Sequence, residues 1–313
     1  MILSGYQALR EAAALFHLPG RGLIRATGAD RARLLHAMST NNVQELAPGQ
    51  GCYAFFLTAH GKIVSDANIY RENDSVLLDV EPEARQPLLD HLNKFIIADD
   101  VTLTDLSSQC TVIAVEGPGA AAVLESVGAK MPPPGGFFPW QGGIIAGVTV
   151  TGVAGCRFII PAGDRHSTWQ WLLGIGALEA SEQEIHAVRI ENARPRFSED
   201  FDNTCLVQEV RLMHGVHSNK GCYLGQEIVE RVRSRGQVNR QLAGLQLETQ
   251  QAPSPGTTLS HQGAGVGAIT SAAYSPALGR VVALGFVRSA SAAPNTMLDA
   301  AGIPARVTAA VPH

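Results

Sequence analysis

The chain has 313 residues, 45% of them hydrophobic and 17% charged, with a formal net charge of −4. That length admits one large or two to three smaller domains, and that balance belongs to a folded globular protein rather than a disordered chain. With no strongly basic half, no nucleic-acid footprint is visible.

In chain order, the opening MILSGYQALREAAAL lacks the basic start and continuous apolar core of a signal peptide. DRARLLHAM places Leu34, Leu35 and Met38 at helical spacing behind Asp30, a candidate cap. STNNVQELAPGQG reads as a loop. CYAFFLTAHGKIVSDANIY follows as a hairpin turning at AHGK. In its second strand Ile63, Ala67 and Ile69 share one face; Val64, Asp66, Asn68 and Tyr70 share the other. Asp66 is thus a carboxylate set mid-strand among partly apolar neighbours.

SVLLDV is a further strand. ARQPLLDHLNKFII is an amphipathic helix with Leu88, Leu89, Leu92, Phe95 and Ile96 on one side. The strand–strand–helix order predicts mixed α+β layers. CTVIAVEGPGAAAVLESVG gives strand, Gly-Pro break and helix; MPPPGGFFPWQGG reads as a loop whose Trp140 either covers core or stacks on a flat ligand. Residues 142–161 are the most apolar long run, but Arg157 and five glycines make them strand, turn, strand rather than a membrane span. A soluble, cytoplasmic protein without membrane contact is the expectation.

A helix near STWQWLL precedes SEQEIHAVRIEN, which opens on a capping box, Ser181 and Glu184, and must stop by Pro195. Glu191 lies on or beside the buried face of that helix, where a carboxylate needs a partner or a ligand. His214 and His217 flank a loop with no nucleophile elbow. NKGCYLGQE then leads into a helix from Gly225, and Arg231, Arg233, Arg235 and Arg240 cluster beyond it, as a solvated helix face or a small anion site. Residues 241–313 lose helical periodicity and read as a small antiparallel β-barrel or sandwich, separate from a region spanning 1–240.

The cysteines are Cys52, Cys110, Cys156, Cys205 and Cys222, an odd count with no CxxC spacing. No zinc ribbon, iron–sulfur ligand set or disulfide framework is implied, and no metal site is expected. Cys222 stands apart. A helix start and the charge of Lys220 favour a thiolate, while Gly221 and Gly225 leave room around sulfur. Tyr223 packs on the thiol or closes a pocket, and Gln226 and Glu227 cap the first turn and orient Lys220. The alternative is a helix start with a buried structural cysteine.

Together these segments resemble the folate-binding YgfZ family, related to the glycine cleavage T protein, an aminomethyltransferase. The resemblance runs almost end to end. LLHAMSTNNVQEL, FFLTAHGKIVSDANIY, VRIENARPRFSEDFD and AITSAAYSPALGRVVALGFV follow the order of the shared segments, and KGCYLGQEIVERVRSRG is similar to the YgfZ signature. It implies an α+β fold of three subdomains in a ring around a central folate pocket, the last a barrel. It implies tetrahydrofolate or a one-carbon-substituted folate as cofactor, and client iron–sulfur proteins or assembly factors as partners.

The site residues follow from the same resemblance. Asp66 matches the second of the transferase's aspartate pair and would act at the folate, with Ser65 replacing the first. Glu191 matches the glutamate that binds the pterin, accepting two parallel N–H bonds. Phe197 stands where the transferase has tyrosine. Cys222, which the transferases lack, would be a functional thiol, with Lys220 beside it; Tyr223, Gln226 and Glu227 would line the cofactor site. The resulting function is a folate-binding factor for iron–sulfur enzyme maturation or repair. The alternatives are a tetrahydrofolate-dependent aminomethyltransferase acting on a lipoyl carrier protein, and a non-enzymatic folate-binding module.

Overall fold

A computed structural model describes residues 3–126, 128–236 and 238–310. The chain divides into two compact units that do not follow sequence order. One takes the chain up to Leu57, then Val64–Ile185 and Gly215–Leu224; the other takes Thr58–Ile63, His186–His214 and everything from Gly225 onward.

The first unit holds two sheets. In the five-stranded sheet the order is Gly51–Leu57, Ile63–Arg71, Val76–Val80, Gly22–Thr27, Thr102–Asp105. Burial alternates along Ile63–Arg71 as its side-chain period requires: Ile63, Ser65, Ala67 and Ile69 are buried, while Val64, Asp66 and Asn68 are half-buried. Tyr70 departs from this alternation and is buried, packing edge-to-face on Phe137 at 5.7 Å.

The six-stranded sheet runs Leu178–Glu179, Ala14–His17, Cys110–Glu116, Gly155–Pro161, Gly143–Ala146, Phe137–Trp140. Its last strand lies where a loop was expected. Pro139 is tolerated because the strand is an edge, and Phe137 turns into the core between Leu23 and Ile144. Trp140 stacks on Trp171 at 5.6 Å, so it covers core.

Two helix expectations are corrected. Asp30 precedes the helix Arg31–Met38 but makes no side-chain cap, because its carboxylate accepts from Asp100 N and from Arg33. The helix at 85 spans Arg85–Asn93; Phe95 lies beyond it and is 39% exposed, so the buried stripe is Leu88, Leu89 and Leu92. The Ser181–Glu184 capping box is present, and its helix ends at Glu191.

In the second unit, the strands Arg240–Leu247, Arg280–Arg288, Ala264–Ser275, Thr258–His261, Met297–Ala300 and Ile303–Ala310 close into an antiparallel barrel. Its interior is filled by Leu245, Leu247, Leu259, Ile269, Val281, Ala283 and Val307. The α+β class with a C-terminal β-barrel is therefore observed. No helix among the described residues is long and apolar enough to cross a membrane.

Candidate functional site

In the first unit, three segments distant in sequence meet: the helix Arg31–Met38 with its Thr-Asn turn, the hairpin carrying Asp66, and residues 215–224. Thr40 is the junction. Its Oγ1 donates to Gly215 O and accepts from Phe55 N, while its carbonyl accepts from His217 N. Gly215 is required by close approach, since a Cβ there would lie 2.9 Å from the rings of Tyr53 and Phe55. Leu224 N donates to Ala37 O, fastening the far end of the segment to the same helix.

Asp66 sits on Ile63–Arg71 with one oxygen held and one free. Tyr53 Oη donates to Oδ2 at 2.8 Å; Oδ1 is buried and accepts no hydrogen bond. Burial first, and the charge of Glu81 second, push the Asp66 carboxyl up to about 6; Tyr53 and Arg21 oppose this. A buried acceptor without a donor is costly, so this oxygen is a place for a ligand N–H or O–H, and the group changes protonation near neutral pH. Tyr53, which sequence reading passed over, is fixed in turn: Asn41 Nδ2 donates to its carbonyl at 2.8 Å. The only sequence signal for Tyr53 was its place in the strand opposite Asp66. Ser65 is fully buried and donates to Asp66 O at 2.6 Å.

On the adjacent strand, Val76–Val80, lies a second carboxylate of opposite character. Asp79 is fully buried and accepts from Arg21 Nε and Arg157 Nη1, each at 2.7 Å, joining the two sheets through an arginine–aspartate–arginine cluster.

Lys220 does not stand free beside Cys222. It is buried, and its ammonium donates to Ser39 O at 2.6 Å and to His36 O, the carbonyls at the C-terminal end of Arg31–Met38. A cation there satisfies unpaired carbonyls and complements the helix dipole. His36 completes the exchange: Nε2 donates to Lys220 O at 2.8 Å and Nδ1 accepts from Gln44 N, the pattern of a neutral ring. Burial and then the Lys220 charge lower the His36 pKa, in agreement. Burial lowers Lys220 itself to about 8. Two of its three N–H donors are thus committed to the helix end. Its ammonium also lies 5.0 Å above the ring of Tyr223, which is buried. Between these two residues the backbone turns through Gly221 at φ 91°, and Cys222 is exposed. The buried structural reading of Cys222 does not hold.

In the second unit, Glu191 is the half-buried last residue of Glu182–Glu191. The loop after it is pinned by Asp200, which sequence reading also passed over. Asp200 accepts from Arg189 Nη1 (2.6 Å), Arg196 N (2.9 Å), Thr270 Oγ1 (2.7 Å) and Ser271 Oγ (2.6 Å). Two of these partners, Thr270 and Ser271, lie some seventy residues on, in the barrel strand Ala264–Ser275, where no sequence spacing points to them. Phe197 is buried and packs edge-to-face on Phe201 at 5.6 Å. Gly225, at φ 85°, caps the helix Gln226–Arg235, on which Gln226 is half-buried and Glu227 exposed.

Comparison with known proteins places this arrangement. Residues 1–220 match the GCVT N-terminal domain, and residues 240–312 match the glycine cleavage T-protein C-terminal barrel domain. A chloroplastic Arabidopsis thaliana protein named as a transferase is 32% identical over 259 residues, 80% of this chain; the chain spans 59% of that protein's length. An aminomethyltransferase of Shouchella clausii is 27% identical over 309 residues, covering 94% of this chain and 83% of its own. The crystal structure of glycine cleavage system aminomethyltransferase T from Bartonella henselae superposes with a TM-score of 0.91 at 22% identity, over 98% of this chain and 88% of that one, a likeness of fold. With both of its domain types matched over nearly the whole chain, the protein belongs to the glycine cleavage T-protein (GCVT) family.

Proposed function

We propose that the protein is a tetrahydrofolate-dependent member of this family, of the YgfZ kind, which supports maturation or repair of iron–sulfur enzymes through Cys222. The observation that carries the folate reading is Asp66 Oδ1, buried and without a donor, on a carboxyl whose other oxygen is fixed by Tyr53. Such an oxygen fits an N–H of a reduced pterin. By the family resemblance, Glu191 would hold the 2-aminopyrimidinone edge, and Phe197, Tyr223, Gln226 and Glu227 are the further residues it assigns to the cofactor. The folate, when bound, supplies or accepts a one-carbon unit. Asp66, able to hold or release a proton near pH 6, would move that proton at the folate nitrogen facing it.

Lys220 acts in this reading as a positioning residue. It ties the turn to Arg31–Met38 and leaves the Cys222 thiol exposed. The thiol would serve in exchange with a client protein or assembly factor, or in reaction with the folate's one-carbon unit. Aminomethyl transfer to a lipoyl carrier protein is the second reading, favoured by relatives of that name covering nine-tenths of the chain. Ser65, at the place of the pair's first aspartate, and the exposed Cys222 argue for the first.

Calorimetric titration with tetrahydrofolate, with and without formaldehyde, tests the ligand. Glu191→Ala should weaken binding by about 1–3 kcal/mol, the scale of a lost charge-assisted hydrogen bond. Unchanged affinity removes Glu191 from the site, and absence of any binding removes the folate reading. In cells, Cys222→Ala should lower the activity of iron–sulfur enzymes while sparing glycine cleavage; the opposite pattern selects the aminomethyltransferase.

A further inference from the structure

Two arginines of the first unit stand near each other, and neither has an ion-pair partner among the described residues. Arg31 begins the helix Arg31–Met38, and Arg71 ends the strand Ile63–Arg71. The turn after Arg71 brings them together: Arg31 Nη2 donates to Asn73 O at 3.0 Å, and its Nη1 to Gly28 O at 2.7 Å. Both acceptors are neutral carbonyls. Arg31 Nε and Arg71 Nη1 are buried and have no acceptor. Neither arginine forms an ion pair among the described residues.

Of the carboxylates nearest in sequence, Asp74 is exposed and forms no ion pair among the described residues, and the other two are committed elsewhere. Glu72 faces Arg25 and takes the Ser75 hydroxyl. Asp30 takes Arg33 and Asp100 N. Burial, and then the charge of Arg31, lower the pKa of Arg71, as expected for adjacent like charges without compensation. A water molecule would satisfy the free N–H groups but not the paired positive charge. A dianion does both, and the planar guanidinium fork matches the oxygens of a phosphate.

We propose that Arg31 and Arg71 form a binding site for a phosphate group, separate from the Asp66 and Cys222 sites. The group is either free phosphate or the phosphoryl end of a small organic phosphate.

The test is thermal unfolding of the full chain in phosphate-free buffer, with inorganic phosphate or glycerol phosphate added at ionic strength held constant by sodium chloride. A saturable rise in Tm with either compound is expected, and the tighter of the two identifies the source. Arg71→Gln should raise the half-saturating concentration about tenfold or more, the effect of losing one charge-assisted partner. Arg71→Lys should fall between. Without phosphate, Arg71→Gln should be at least as stable as the wild type, because it removes the repulsion. Its affinity for tetrahydrofolate should not change, so failure here is distinct from failure of the folate reading. No saturable rise with either compound overturns the proposal, as does an equal rise in Arg71→Gln or an equal rise from sodium chloride alone.

Discussion

Asp66 and Asp79 lie on adjacent strands of one sheet, and their surroundings are opposite. Asp79 is saturated by two buried guanidiniums that tie two sheets together. Asp66 has one oxygen held by a neutral phenol and the other left empty, and burial raises its pKa to about 6. Asp200 in the second unit repeats the first pattern, with four donors on two oxygens. A carboxylate that builds the fold has a donor on each of its oxygens. One left short of partners, at a cost in stability, is available for chemistry.

The sharpest break of this comparison is Asp79→Ala. It strands Arg157, leaves Arg21 with Glu81 alone, and should destabilise the protein by about 3–5 kcal/mol in urea unfolding, the scale for removing one partner of a buried ion pair. A loss below about 1 kcal/mol would show that water reaches the cluster and that Asp79 is no better held than Asp66.

Asp66→Asn should have the opposite sign. A carboxyl whose folded pKa is raised from 3.8 to about 6 contributes stability below pH 3.8, and this is lost as pH rises through about 6. At pH 8 the amide variant should therefore be more stable than the wild type by up to about 3 kcal/mol, at 1.36 kcal/mol per pH unit. The gain should shrink to nothing as pH falls toward 3.8. Folate binding should weaken in the same variant. Unfolding curves of both proteins across that range decide it, and a variant less stable at pH 8 would place Asp66 with Asp79.

Lys220→Met should cost less, about 1–3 kcal/mol, because Ser39 O and His36 O lose their shared donor at a buried helix end. Alkylation of Cys222 should then lose its reproducible rate as the turn loosens, which a variant altering only charge would not cause. Smallest is Cys222→Ala, expected within about 0.5 kcal/mol of the wild type, since an exposed side chain away from any network contributes little. Only the cellular iron–sulfur readout should change.

The sequence by itself determined the local structure. Alternating apolar residues set the hairpin faces around Asp66, the Ser181–Glu184 spacing set a helix start, and dense Gly-punctuated strands set the barrel. These signals are legible because each depends on residues a few positions apart. It also singled out Asp66, Glu191 and Cys222, through motifs rather than through geometry. What tertiary structure decided was which charge meets which. Lys220 looked like a neighbour of Cys222 because they are two residues apart, yet its ammonium reaches carbonyls more than 180 residues earlier in the chain. Tyr53, Asp79 and Asp200 were invisible as partners for the same reason. Electrostatic and hydrogen-bonding energies act over a few ångströms of space, and a chain folded into sheets and a barrel brings together groups whose sequence separation carries no trace of that distance.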